Sequence, residues 1–133
     1  RTADRGEAVM RLSIDTGRLS LEEMAALASA LTTLSDVLSG QLSQPRFYDS
    51  ATHRNNAAGD VLEDIAEGIG FAIEDLRNAA RSRRPQSDDE RDQKFALLAR
   101  ELTDGLRSPE DAIDGMRAIV DRLDRAIAED VLL

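Results

Sequence analysis

From Met24 to Leu42 the apolar residues Met24, Leu27, Leu31, Leu34, Leu38 and Leu42 fall at steps of 3, 4, 3, 4 and 4. That spacing is close to the heptad seam of a coiled coil and lines the side chains up in one narrow helical stripe. Ile113, Met116, Val120, Leu123, Ile127 and Val131 repeat it near the end of the chain. A helix cannot bury such a stripe by itself. It needs other helices, from the same chain or from another, and this limits the possible folds more than anything else in the sequence.

The ends of the helices are also legible. "SLEE" (20–23) is a capping box, in which Ser20 accepts from the amide of residue 23 and Glu23 reaches back to the amide of residue 20. It predicts a helix over about 21–43. "SQPRFYDSATHRNNAAG" (43–59) breaks the pattern, because Pro45 disfavours helix at Gln44. A short helix could restart after Asp49 or Ser50 as N-cap. From 57 to 82 Leu62, Ile65, Ile69, Ile73, Leu76 and Ala80 form a stripe, with Arg77, Arg81, Arg83 and Arg84 crowding its C-terminal end and Pro85 stopping it. "SDDE" (87–90) reads as a second capping box for a helix burying Phe95, Leu98, Leu102 and Leu106. Ser108 and Pro109 start the last helix as N-cap and N1.

The only aromatics are Phe47, Tyr48, Phe71 and Phe95, so the core must be aliphatic, which favours helices. The expectation is an all-α fold, an antiparallel bundle of about four helices in a single domain over 1–133, with 1–8 frayed and 83–88 a mobile linker. One segment reads differently. "VMRLSID" (9–15) alternates Met10, Leu12 and Ile14 with Arg11, Ser13 and Asp15, which is strand periodicity. Such a lone strand would have to pair with another chain.

Hydrophobic residues at 41% and charged residues at 32% mark a folded chain. A formal charge of −9 argues against nucleic acid and against an anionic membrane as partners. With no cysteine, no apolar run of about 18 residues and no visible leader, the cytoplasm is the expected location. Lys94 is the only lysine among 17 basic residues, which reads as the codon bias of a GC-rich bacterial genome.

Gly68 and Gly70 sit inside the helical stretch 57–82, where each costs about 1 kcal/mol against alanine. On a helical wheel Gly68 shares a flank with Ala72, and small residues there let another backbone come close. Gly70 points elsewhere and has no packing reason. A hinge, or room for a ligand against the backbone, are the other readings. No strand precedes "GIG", and the further glycine and helix start that a dinucleotide fingerprint needs are missing, so it is not a phosphate loop.

Chemistry-bearing residues are few. His53 is the sole histidine, with no glutamate three residues before it, and reads as a surface loop residue. No G-x-S-x-G elbow places a serine nucleophile. Glu63, Asp64 and Glu67 lie within one helical turn, and Glu101 and Asp104 lie on the next helix. Carboxylates so placed on two packed helices can hold Mg²⁺ for a substrate phosphate. The set is similar to the E-E-x-x-E … E-x-x-D pattern of the MazG-type all-α nucleotide pyrophosphohydrolases, with Asp64 at a family Glu position. That resemblance implies metal binding by Glu63, Glu67, Glu101 and Asp104. A solvated acidic face accounts for the same residues, since 26 of 133 are Asp or Glu. "RSRRP" could grip a phosphate or an acidic partner, or pair with its neighbours in "SDDERD". "PRFY" (45–48) carries the residue types that anchor interfaces, and it could equally plug the end of a bundle.

The expected function is therefore protein–protein contact, with no catalytic residue, metal or cofactor. The expected interface is Met24, Leu27, Leu31, Leu34, Leu38, Phe47, Tyr48 and Gly68, and the expected partner is a second copy in a two-fold dimer, or another protein. The alternatives are an acidic, antitoxin-like inhibitor that caps a basic surface, and the Mg²⁺-dependent nucleotide hydrolase.

Overall fold

The computed structural model describes residues 12–103 and 108–132. A one-turn 3-10 helix, Thr16–Arg18, precedes helix α1, Leu21–Leu42. A second such turn, Pro45–Phe47, leads into strands β1, Tyr48–Asp49, and β2, Arg54–Asn55. Helices α2, Ala57–Ser82, α3, Asp88–Thr103, and α4, Pro109–Leu132, complete the chain. The fold is all-α and bundle-like, with one two-stranded antiparallel ribbon. Of the segment with strand periodicity, residues 9–11 lie outside the described residues, and Leu12–Asp15 form no strand.

Local chemistry sets the helix starts. The Glu23 amide donates to Ser20 Oγ at 3.1 Å, and the Ser20 amide donates to a Glu23 carboxylate oxygen at 3.0 Å. Those bonds from Ser20 hold the Glu23 pKa below its ordinary value. At α3 the box is altered. Ser87 Oγ accepts from the Glu90 amide, but Glu90 reaches back to the Gln86 amide at 2.6 Å, one residue beyond the expected Ser87. At α4, Ser108 Oγ accepts from the Asp111 amide at 3.2 Å.

The described residues group into two compact units. One contains Leu27–Asp75, and the other contains Thr16–Ala26 together with the chain from Leu76 onward. The second unit buries Leu21, Met24, Leu76, Ala80, Leu97, Leu98 and Leu123. Its α3 and α4 pair antiparallel, since Arg91 bonds Asp124 at one end while Leu102 lies against Gly115 at the other. A Cβ on Gly115 would stand 2.9 Å from Leu102 Cδ1, so glycine lets the two helices approach there. Leu97, absent from the expected stripe, is buried at 6% exposure, whereas Phe95 is only half-buried.

Residues 83–88, expected as a mobile linker, are tied in several places. Lys94 Nζ donates to the Arg83 carbonyl at 2.7 Å and to the Arg81 carbonyl at 3.1 Å, closing the end of α2. The Arg83 guanidinium donates to the Leu19 carbonyl at 2.6 Å and the Thr16 carbonyl at 3.1 Å. Pro85 is buried. The lone lysine therefore does local structural work: a compact ammonium on a flexible stem can reach two carbonyls at once.

In the other unit the expected helix restart after Asp49 or Ser50 is a hairpin. Tyr48 pairs with Asn55 and Asp49 with Arg54. Asp49 Oδ1 accepts from the Ala51 amide at 2.9 Å, which turns the chain instead of starting a helix, and His53 takes the left-handed conformation at φ 55°. The true N-cap is Asn56, whose Oδ1 accepts from the Gly59 amide at 2.8 Å. Asn56 also donates twice backwards, from Nδ2 to the Arg46 carbonyl at 2.7 Å and from its amide to the Phe47 carbonyl at 3.1 Å. A Cβ on Gly59 would stand 2.2 Å from the Phe47 carbonyl oxygen, so only glycine fits where α2 meets the turn. This unit buries Ala28, Ile69, Ala72 and Ile73.

Candidate functional site

The surface with the least explanation inside the chain belongs to α1. Between Met24 and Gln44 the sequence carries one charge, Asp36, in a chain that is 32% charged. Helices exposed to water normally show a charged face. Here the hydroxyls are turned back on the helix itself. Thr32 Oγ1 donates to the Ala28 carbonyl at 2.8 Å, Thr33 Oγ1 to the Ser29 carbonyl at 3.2 Å, and Ser43 Oγ to the Gly40 carbonyl at 2.8 Å. This spends their donors on the helix's own carbonyls. Leu34 is 52% and Val37 55% exposed.

Of the residues expected at an interface, Leu27, Leu31 and Leu38 are half-buried and Leu34 is open to solvent. Met24 is wholly buried, so the accessible part of the seam begins at Leu27. Gly68 is buried too. Phe47 is half-buried beneath the Arg46 guanidinium, 5.1 Å from its ring centroid, and Arg46 also bonds Gln41. Tyr48 is 37% exposed on the ribbon. Gly70 is exposed, with open space where a Cβ would stand.

The carboxylates are otherwise engaged or apart. Glu63 Oε2 accepts from Asn55 Nδ2 at 2.8 Å, and Glu101 forms an ion pair with Arg81. Glu67 is exposed, and Asp104 lies outside the described residues. Among the described residues no group of three Asp, Glu or His side chains could hold a metal ion. His53 stands exposed in the hairpin turn.

No family model matches the chain, and comparison with curated proteins and with solved structures finds no match either. What the site can do rests on its own chemistry: α1 offers an apolar, nearly uncharged strip and no reactive group.

Two parts of this picture were absent from the periodicity. The lack of charge along α1 lies in plain composition, but apolar periodicity carries no information on which polar residues fill the other positions. The inward-turned hydroxyls need backbone geometry to be seen.

Proposed function

We propose that this chain works by protein–protein contact, and that the contact is first of all with a second copy of itself through α1. The observation that carries the reading is the exposure of Leu34 and Val37 on a helix with a single charge over its 19 residues from Met24 to Leu42. Interface centres are depleted of charge and enriched in apolar surface, and α1 has both properties. The charge of the chain supports the same choice. Two copies at −9 each repel, and α1 is where they can meet with the fewest like charges opposed. No helix among the described residues is long and apolar enough to cross a membrane, so a bilayer span does not account for the apolar strip.

Light scattering after size exclusion, over a tenfold dilution, tests the reading. A self-associating chain gives a mass of twice 14.6 kDa. Placing aspartates at Leu34 and Val37 should return the mass to one chain without loss of helix, because both residues are more than half exposed. A wild-type chain that runs as a monomer at every concentration overturns the proposal. Salt separates it from the acidic-inhibitor alternative: screening strengthens the association of two acidic copies and weakens the grip of an acidic chain on a basic partner.

A further inference from the structure

The second unit contains a cleft of about 220 Å³ whose charge is opposite to that of the protein. Arg81, Arg83, Arg84, Lys94 and Arg122 line it, and no carboxylate does. In a chain with 26 acidic residues against 17 basic ones, that is a strong local reversal. Leu98, Ile119 and Leu123 supply an apolar floor.

Several of these charges meet no counter-charge. Lys94 is only 8% exposed, and its ammonium bonds two neutral carbonyls. Its third N–H has no acceptor among the described residues. Arg83 likewise donates to two neutral carbonyls, those of Leu19 and Thr16. Arg122 has neither a hydrogen bond nor an ion pair among the described residues. It acts instead on Lys94: burial, and then repulsion from Arg122, hold the lysine pKa below its ordinary value. A buried cation facing a second cation across open space is costly unless something negative joins them.

We propose that this cleft binds a small amphipathic anion, a phosphate monoester on a compact apolar group, with the phosphate between Lys94 and Arg122 and the apolar part on Leu98, Ile119 and Leu123. A phosphate dianion matches two or more cations, and guanidinium donors suit its oxygens. The cleft is smaller than the roughly 300–1,000 Å³ of drug-sized sites, so the ligand is small. The phosphate is that of a free ester and not of a lipid headgroup, because a chain at −9 is repelled by an anionic bilayer. This inference is independent of the α1 contact, which involves the other unit.

Lys94 is the only lysine, so ¹³Cε-lysine labelling gives one side-chain resonance, at the site itself. Phenyl phosphate is the probe, in phosphate-free buffer, with inorganic phosphate and benzyl alcohol alongside. The expected result is a saturable shift of the Lys94 resonance with phenyl phosphate, weaker binding of inorganic phosphate and no shift with benzyl alcohol. Arg122→Gln should weaken phenyl phosphate binding tenfold or more with unchanged circular dichroism, since Arg122 is exposed. Arg117→Gln, on the same helix but outside the cleft lining, should leave the affinity as it was. The proposal is overturned if the shift never saturates, if benzyl alcohol binds equally well, or if the two arginine variants behave alike. Sedimentation with phosphatidate vesicles, without binding of the soluble ester, would overturn the choice of a free ligand.

Discussion

Gly59→Ala is the most informative single substitution in this fold. The added Cβ would lie 2.2 Å from the Phe47 carbonyl oxygen and 2.9 Å from Asn55 Cβ. The first of these is backbone and the second is the stiff base of a side chain, so the turn must retreat by about an ångström, a strain of the kind that costs roughly 1–3 kcal/mol in a packed site. The retreat strikes where Asn56 joins the turn to α2, through bonds of 2.7, 2.8 and 3.1 Å. Losing one of them adds about 1 kcal/mol. Alanine's better helix propensity returns up to about 1 kcal/mol. The net expectation is a loss of about 2 kcal/mol, read by urea unfolding followed at 222 nm. Gly70→Ala is the matched control. It makes the same chemical change in the same helix with nothing within 4 Å of the new methyl, and should gain about 0.5–1 kcal/mol. If both variants move stability in the same direction by similar amounts, the corner formed by Phe47, Asn56 and Gly59 is not packed as described.

Other outcomes follow from the same structure. Aspartates at Leu34 and Val37 together should halve the mass in solution while leaving the helix content intact, and rising salt should tighten the wild-type association. Ser20→Ala should cost about 1 kcal/mol by removing the cap of α1. The Glu23 pKa is lowered in the fold, so its contribution is complete above the ordinary glutamate value of 4.5 and fades as pH falls through the lowered one. Ser20→Ala keeps the backbone amide that donates to Glu23, so it is Glu23→Gln whose acid unfolding should lack that component. Lys94 has the opposite charge but the same direction of shift, so the folded protein binds fewer protons than the unfolded chain between the lowered value and 10.5. Stability should rise with pH across that window in phosphate-free buffer, and Lys94→Met should flatten the rise.

Residues with a period or a cap were legible, and residues whose role depends on distance were not. The Leu and Ile stripes, Ser20 with Glu23, and Pro85 announce helices because each acts within one or two turns of its own chain. The ribbon at Tyr48–Asn55 escaped because two-residue strands are too short to alternate. Gly68 and Gly70 stand out in the sequence as a close pair interrupting a helix, while Gly59 and Gly115 stand singly and give no such signal, although another segment lies against each. Lys94 reads from composition as an accident of arginine preference. Its four-carbon stem counts as apolar surface, so it belongs to a buried stripe with Leu97 and Leu98 that a purely apolar count omits. Nothing in the sequence places Arg122 opposite it, because that approach is made by the pairing of α3 with α4.

The two units interleave in the sequence: one takes residues 12–15 and Leu27–Asp75, the other Thr16–Ala26 and the chain from Leu76 onward. Synthesis therefore delivers them out of order. Thr16 and Leu19 leave the ribosome 67 and 64 residues before Arg83, the side chain that fastens their carbonyls. At about 5–20 residues per second the wait is several seconds. During it Leu21 and Met24, destined for full burial, belong to a unit whose remaining residues begin at Leu76. Leu27–Asp75 has emerged by then, so its unit can fold while Leu21 and Met24 still await their partners.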